Sequence, residues 1–203
     1  MRKLLIATRN KDKLPEIMVE LHGLPFEFVS LNDIPELSKD YEADEQAETF
    51  EGNAIIKART FGKKTRLVTL ADDSGLCVDA LDGRPGVYSA RYATGSAEDR
   101  NRKLLGELKG IPKDKRTARY VAVVAIYDPE TDKVRTCEGT CEGIITTQPV
   151  GNGGFAYDPI FFSTDLNKTT AQMTLEEKNK VSHRGRALRK AKKILENDFI
   201  PSK

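Results

Sequence analysis

The spacing of apolar residues in the first third of the chain alternates between two patterns. Residues 3–7 and 26–31 are short apolar stretches typical of buried strands. Between them, apolar residues recur at helical spacing at Leu14, Ile17, Met18 and Leu21. Pro15 fits only the first turn of that helix. Thr49 is a suitable cap for a second helix, whose inner face includes Ala54, Ile55 and Ala58. The pattern predicts strand, helix, strand, helix.

The middle of the chain predicts further strands and one helix. Residues 67–71 form an apolar strand that ends at the acidic and glycine-containing stretch 72–75. A helix follows, marked by Leu104, Leu105 and Leu108. Residues 120–127 and 134–142 flank a turn at 128–132, which indicates an antiparallel hairpin. Residues 143–147 are expected to extend its second strand.

The C-terminal part predicts two helices. Thr174 and Glu177 have the spacing of a capping box for a short helix. A basic amphipathic helix then carries Leu188, Ala191 and Leu195 on one face. No repeat, low-complexity tract or long linker interrupts the sequence. We therefore predict a single α/β domain over residues 1–203, with a mixed sheet.

Composition restricts the partners of this domain. The 203 residues include 33 basic and 31 acidic side chains, for a net charge of +2, so no global positive field favours a nucleic acid polymer or a membrane surface. The three cysteines, Cys77, Cys137 and Cys141, are odd in number and predict free thiols in a reducing compartment. The first apolar stretch is too short for a signal peptide or a membrane span. We expect a cytoplasmic protein.

Polar residues follow the first predicted strand and precede a helix: Thr8, Arg9, Asn10, Lys11, Asp12 and Lys13. Backbone N–H groups and the helix dipole at such a turn favour phosphate, and Lys13 adds a positive charge. Simple helix capping is the more common explanation of this composition. The turn alone therefore does not identify a phosphate site.

Acidic residues supply a second candidate site. Asp72 and Asp73 are adjacent to Ser74, and Mg²⁺ commonly takes one or two carboxylates while substrate phosphates complete its shell. Asp-Asp-Ser-Gly is equally good turn chemistry. Residues 42–48 are also acidic and lead into the helix that carries Lys57, although a solvated acidic loop is the ordinary interpretation.

Two later segments combine glycine, aromatic and donor residues. Residues 151–159 form a glycine-rich loop in which Phe155 is available to stack on a base, or simply to pack. Residues 176–185 concentrate hydrogen-bond donors, and Ser182, His183 and Arg184 are predicted to precede the last helix. The basic residues further along that helix are expected to be its solvated face, because no aromatics are interleaved with them.

In combination, these segments resemble the inosine/xanthosine triphosphate pyrophosphatase family, also called the Ham1 family, over nearly the whole chain. The matching blocks are ATRNKDK at 7–13, TFEGNAIIKA at 49–58, ADDSGL at 71–76, GRPGVYSARYA at 83–93, GGFAYDPIF at 153–161 and EEKNKVSHRGRA at 176–187. Arg9 departs from a common glycine. Gln46-Ala47-Glu48 departs from a common Thr-Gly-x, which leaves Asp44, Glu45 and Glu48 as alternatives for one acidic metal ligand.

The resemblance implies an elongated α/β fold with a mixed sheet, flanking helices and two lobes around a central active-site cleft. It also implies a homodimer that hydrolyses ITP, dITP and XTP between the α and β phosphates. Asp73 is then the general base and a Mg²⁺ ligand, supported by Asp72, with Glu45 as the second ligand. Lys13 and Lys57 neutralise the triphosphate.

The implied base site places Phe155 as the stacking residue and Ser182, His183 and Arg184 as donors to a purine 6-oxo group. The full set of implied substrate-binding residues is Thr8, Arg9, Asn10, Lys11, Asp12, Lys13, Lys57, Ser74, Phe155, Ala156, Tyr157, Asp158, Lys178, His183 and Arg184. Two alternatives remain: a septum-formation-inhibitor type of nucleotide pyrophosphatase that prefers other bases, and a nucleotide sensor without turnover. The P-loop signature for cleavage at the γ phosphate is absent from the sequence.

Overall fold

A computed structural model describes residues 1–35, 37–38 and 40–199. Within those residues, the strands are β1 (Arg2–Ile6), β2 (Phe26–Ser30), β3 (Val68–Val78), β4 (Thr117–Asp128), β5 (Lys133–Ile145), β6 (Phe161–Ser163) and β7 (Lys168–Thr169). The helices are α1 (Lys13–Leu21), α2 (Phe50–Thr65), α3 (Ala97–Glu107), α4 (Leu175–Val181) and α5 (His183–Phe199). The predicted domain of residues 1–203 thus extends outside the described residues at 36, 39 and 200–203.

The strands form one mixed sheet in the order β2-β1-β3-β4-β5-β6-β7. Strand β1 is parallel to both β2 and β3, with Leu4 opposite Phe28 and Val68. At the other end, β5 pairs antiparallel with β6, and β6 with β7. Short turns allow only antiparallel neighbours, whereas the parallel strands are separated in sequence by α1 and α2. The predicted α/β class with a mixed sheet is confirmed.

The described chain divides into two compact units. Unit 1 comprises Met1–Asp73, Ala122–Gly139 and the chain from Ala187 onward. Unit 2 comprises Ser74–Val121 and Thr140–Arg186. The chain passes from unit 1 to unit 2 within β3, so the predicted acidic pair and the serine after it belong to different units.

Unit 1 has a core on each face of its strands. Along β4, Ala122, Val124 and Ile126 pack into one core with residues of α1 and α5. The intervening Val123, Ala125 and Tyr127 pack into the other core with Ala54 and Ala58 of α2. Alternation of side chains across the strand explains why β4 reads as a continuous apolar run. A Cβ at Gly62 would collide with the ring of Tyr127, so glycine allows α2 to approach the sheet this closely.

Unit 2 has a separate core. Its members come from the second halves of β3 and β5, the beginning of β4, helix α3 and the segment before β6. Leu104 and Leu108, predicted to mark a helix, are fully buried in it. Tyr120 is also buried there, and burial raises the pKa of its hydroxyl well above the usual range. The prediction of a helix at Leu104, Leu105 and Leu108 is confirmed, because α3 lies there and buries its leucines in this core.

Two predicted boundaries are wrong. Strand β3 does not end at Asp72 but continues through Gly75 to Val78, because Leu76 and Val78 are completely buried and continue the alternating pattern. Helix α5 begins at His183, so His183 and Arg184 lie in its first turn and only Ser182 precedes it. The hydroxyl of Ser182 accepts a hydrogen bond from Gly185 N, as a helix cap does.

Candidate functional site

The acidic pair in unit 1 lies against two lysines from different helices. Lys13, at the start of α1, places Nζ 3.0 Å from Oδ2 of Asp72, whose side chain is almost fully buried. Lys57, in α2, donates from Nζ to the backbone oxygen of Asp72 at 3.0 Å. These contacts bring two lysines from distant parts of the sequence to Asp72, the first residue of the pair Asp72 and Asp73. We call this group, with Glu45 and Asn53, the acidic–lysine cluster.

Glu45 belongs to the same cluster. Its Oε2 lies 2.9 Å from Lys57 Nζ, and its side chain is about one-third exposed. Of the three alternatives at this register, Asp44 and Glu48 are exposed, and Asp44 accepts a hydrogen bond from Gln46 Nε2 at 2.9 Å. Of these three acidic residues, Glu45 is the one that forms an ion pair with Lys57.

The environment of Asp73 is partly buried and electrostatically mixed. Burial raises the pKa of its carboxyl group above the usual range, the charges of Lys57 and Lys13 oppose that shift, and the negative charge of Glu45 adds to it. Asn53 donates from Nδ2 to Oδ2 of Asp73 at 3.1 Å and favours the ionised form. The carboxyl group is thus held by a neutral donor while two cations lie nearby.

Sequence reasoning missed Asn53, which is 2% exposed. Its neighbours on α2 gave only the signal of an apolar inner face at Ala54 and Ala58. The available clue was its position immediately beside Ala54 and one turn before Lys57, where a polar side chain on a buried helix face requires partners.

The oxygen donors of this cluster are of the kind that suits a divalent cation. Among residues 1–35, 37–38 and 40–199, no group of three or more His, Cys, Asp or Glu side chains is arranged to hold a metal by itself. Mg²⁺ typically takes one or two protein carboxylates, with substrate phosphate and water oxygens completing the shell. Glu45 and Asp73 supply two hard oxygen donors whose charges act on one another. Their chemistry is therefore suitable for Mg²⁺.

Several polar groups of the turn before α1 form hydrogen bonds within the protein. Asn10 N donates to Thr8 Oγ1, and Asp12 N donates to Asn10 Oδ1. Arg9 donates from Nη2 to the backbone oxygens of Ser38 and Tyr41. Lys11 and Asp12 are exposed. The expectation of backbone N–H groups available for phosphate is not met at Asn10 and Asp12, and Lys13 is the residue of this turn that reaches the acidic pair.

In unit 2, the glycine-rich loop is organised around a buried carboxylate. Asp158 accepts hydrogen bonds at Oδ2 from Phe155 N at 2.8 Å and from Lys178 Nζ at 2.7 Å. Its Oδ1 accepts from Thr170 Oγ1 at 2.9 Å. The ammonium of Lys178 also lies 4.3 Å from the centre of the Phe155 ring, a cation–π distance. Asp158 therefore holds both Phe155, the predicted stacking residue, and Lys178, the cation beside its ring.

The first turn of α5 adds two buried donors to this unit. Arg184 is 2% exposed and donates from Nη2 to Ser74 Oγ at 3.0 Å. Its guanidinium lies 5.9 Å from the Phe155 ring centre. His183 stacks on Tyr120 with ring centres 4.6 Å apart and planes 9° from parallel. We call Phe155, Asp158, Lys178, His183 and Arg184 the aromatic–donor cluster.

Two predicted substrate-binding residues have structural contacts in this unit. The Tyr157 side chain is almost completely buried, and its hydroxyl donates to Ser89 O at 2.8 Å. Ala156 has a φ of 54°, and its oxygen accepts from Asn101 Nδ2 at 3.2 Å. The buried Tyr157 side chain therefore supports the loop, whereas Ala156 is only half-buried.

Comparison with known proteins identifies the family. The model of the Ham1 family matches residues 4–194, nearly the whole described chain. The chain belongs to the Ham1 family. It is 50% identical over 190 residues to a dITP/XTP pyrophosphatase of Geobacter sulfurreducens, covering 93% of this chain and 94% of that protein. A dITP/XTP pyrophosphatase of Desulforamulus reducens is 45% identical, with 98% of both chains covered.

Solved structures of Ham1 proteins share the fold. A HAM1 protein from Coxiella burnetii superposes with a TM-score of 0.87 at 37% identity, covering 97% of this chain and 99% of that one. The Ham1 protein of Staphylococcus aureus gives a TM-score of 0.85 at 36% identity, with 97% and 100% covered. The α/β architecture inferred from the sequence is therefore that of Ham1 proteins.

Three basic side chains of α5, predicted to form a solvated face, contact other residues of unit 1. On α5, Arg189 pairs with Glu20 at 2.9 Å, and Lys190 and Lys192 donate to the backbone oxygens of Glu138 and His22. These cations are engaged within unit 1 instead of forming an open basic stripe. All three cysteines are free thiols. None of the described helices is both long and apolar enough to span a membrane.

Proposed function

We propose that this protein is a nucleoside triphosphate pyrophosphohydrolase that converts dITP, ITP and XTP to the monophosphate and pyrophosphate, and so removes non-standard purine nucleotides from the nucleotide pool. The observation that carries the proposal is the convergence of Lys13 and Lys57 on Asp72, where their charges also act on the carboxyl group of Asp73. That arrangement occurs in a chain half identical to a dITP/XTP pyrophosphatase.

We assign the phosphate chemistry to the acidic–lysine cluster. The ammonium groups of Lys13 and Lys57 stabilise negative charge on phosphoryl oxygens. Asp73 orients a water molecule and accepts its proton as the bond between the α and β phosphates is hydrolysed. When bound to Glu45 and Asp73, Mg²⁺ would polarise the phosphate oxygens and offset their charge. Hydrolysis through water requires no covalent intermediate on the protein.

We assign base recognition to the aromatic–donor cluster. Phe155 provides a ring for stacking, which contributes about 1–3 kcal/mol and does not distinguish one base from another. Lys178, His183 and Arg184 provide N–H donors that match the 6-oxo acceptor of hypoxanthine and xanthine. Adenine presents an amino donor at that position, and each unsatisfied buried donor costs about 1–3 kcal/mol. Adenine nucleotides are therefore expected to be poor substrates.

A substrate panel tests this assignment. Purified protein with Mg²⁺ is given dITP, ITP, XTP, dATP, dGTP and modified pyrimidine triphosphates, and the products are resolved by anion-exchange chromatography. We expect rapid formation of monophosphate and pyrophosphate from the first three. The Asp73→Asn variant is expected to lose about 10²–10⁴-fold in kcat while still binding nucleotide. Preference for pyrimidines would instead indicate the septum-formation-inhibitor type, and binding without turnover would indicate a sensor.

The proposal also includes Mg²⁺ dependence, a homodimer and a cytoplasmic location. Mg²⁺ dependence is supported by the two carboxylate donors, and it is tested by removing the metal with EDTA and restoring activity with Mg²⁺. The homodimer follows from the family resemblance, and the cytoplasmic location is supported by the three free thiols. Light scattering on the purified protein measures the first, and cell fractionation the second.

A further inference from the structure

Two side chains on one face of α2 each connect the same two segments of unit 1. Asn53 accepts at Oδ1 from Ala47 N at 2.9 Å and donates from Nδ2 to Asp73 Oδ2 at 3.1 Å. Lys57 lies 2.9 Å from Glu45 and donates to Asp72 O. Positions four apart on a helix lie on one face. The acidic segment and the acidic pair of β3 are therefore tied together twice, one helical turn apart.

The chemistry of its partners fixes the orientation of the Asn53 amide. A backbone N–H such as that of Ala47 can only donate, so it must meet Oδ1. An ionised carboxylate such as that of Asp73 can only accept, so it must meet Nδ2. Rotating the amide by 180° would place a donor against a donor and an acceptor against an acceptor. Because Asn53 is 2% exposed, water has little access to compensate for a mismatch.

We propose that Asn53 is a positioning residue, which sets the orientation of the Asp73 carboxylate relative to the segment that carries Glu45. This inference rests on the proposed function, because it assumes that Asp73 and Glu45 carry the chemistry. Asn53 holds one oxygen of Asp73 in place and, through Ala47, fixes the chain two residues from Glu45. It thereby keeps two carboxylates in the arrangement that one cation and one water molecule require, which is the kind of preorganisation on which catalysis depends.

Asn53→Asp separates the two halves of this bridge. Aspartate has the same shape and still accepts from Ala47 N, but it turns an oxygen instead of an N–H toward Asp73. The stability test is a double-mutant cycle with Asp73→Asn, read by thermal unfolding in the absence of nucleotide and metal. We expect Asn53→Asp to lower the Tm by about 3–8 °C. In the Asp73→Asn background, most of that loss should disappear, because the amide and the carboxylate have exchanged places.

The activity test uses the same variant with a control on the same helix. Asn53→Asp should lower kcat for dITP by about 10- to 100-fold, which corresponds to the free energy of one hydrogen bond to a charged group. KM should change less than about threefold. The Mg²⁺ concentration for half-maximal rate should shift as well. Thr49→Ala is the control, because it removes the hydroxyl that caps α2 at Gly52 N. It should lower the Tm by about 2–4 °C and leave kcat within about twofold.

Three results would overturn the proposal. They are an equal loss of Tm from Asn53→Asp with and without Asp73→Asn, an unchanged kcat in Asn53→Asp, and a fall in kcat in Thr49→Ala as large as that in Asn53→Asp. Failure of the proposed function has a different signature, since the unsubstituted protein would not hydrolyse dITP, ITP or XTP. The stability cycle would still measure the contact between Asn53 and Asp73 in that case.

Discussion

Asp158→Asn tests how the glycine-rich loop of unit 2 is held. The Asp158 carboxylate receives three donors: Phe155 N, Thr170 Oγ1 and Lys178 Nζ. Asparagine has the same shape but only one acceptor oxygen. Its NH₂ group must therefore either face Phe155 N and Lys178 Nζ, which are both donors, or face Thr170 Oγ1, whose hydroxyl would then accept instead of donate to this side chain. The substitution also removes the negative charge that pairs with Lys178, although it changes side-chain volume very little.

The structure sets the size of the expected effect. The side chains of Lys178 and Asp158 are only 8% and 4% exposed. Removing one partner of a buried ion pair costs about 3–5 kcal/mol, a large part of the total free energy of unfolding of about 5–15 kcal/mol. A matched control is Glu176→Gln, which neutralises the exposed pair between Glu176 and Lys180 on α4. Exposed pairs of this kind contribute about 0–1 kcal/mol.

The assay is urea denaturation at neutral pH, with kcat/KM for dITP and dATP measured on the same preparations. We expect Asp158→Asn to lower the free energy of unfolding by at least about 3 kcal/mol and to lower dITP turnover, because Phe155 and Lys178 lose their common anchor. Thr170→Val should produce a smaller loss. If Asp158→Asn were no more costly than Glu176→Gln, the carboxylate would not be the anchor of the loop.

Three further predictions concern phosphate handling, base selectivity and the loop backbone. Lys57→Ala should lower kcat/KM for dITP by about 10- to 100-fold and raise the Mg²⁺ requirement, with the ratio of dITP to dGTP unchanged in a substrate panel. Arg184→Ala should shrink the ratio of dITP to dATP in kcat/KM, whereas Phe155→Ala should weaken all purines evenly. Gly154→Ala should lower the Tm and dITP turnover together, because Gly154 has a φ of +73° and an added Cβ would collide with Asp158.

Local signals explain why most of the fold could be predicted. Thr49 caps α2 through its side chain, and Thr174 and Glu177 form the predicted capping box of α4. These contacts join residues three positions apart, so the sequence contains both partners. The predicted end of β3 at residues 72–75 was wrong for a related reason. Turn propensity is also a local signal, whereas β3 continues through these residues because its later side chains are buried. Tertiary packing overrides such propensities.

The candidate site was only partly predictable for the opposite reason. The acidic pair, both lysines, Phe155 and Arg184 stand in recognisable motifs, so sequence reasoning identified them. Asn53 and Thr170 contact partners 20 and 12 positions away, and each would be unremarkable on a helix or in a turn if its partner were unknown. Buried polar side chains must be matched, but sequence alone does not say with what.

Arg9 illustrates the same limit for a charged residue. Its place in a polar turn between a strand and a helix suggested phosphate, yet its guanidinium donates to two backbone oxygens of the chain before the acidic segment. An arginine offers five donors in a fixed fork, so it can bind backbone oxygens as readily as an anion, and local sequence cannot distinguish the two uses. Lys13, four residues later, presents a single ammonium group and reaches the carboxylate of Asp72. Positive charge in this turn thus has two roles: Arg9 ties the turn to the chain before Glu45, and Lys13 supplies the cation beside the acidic pair.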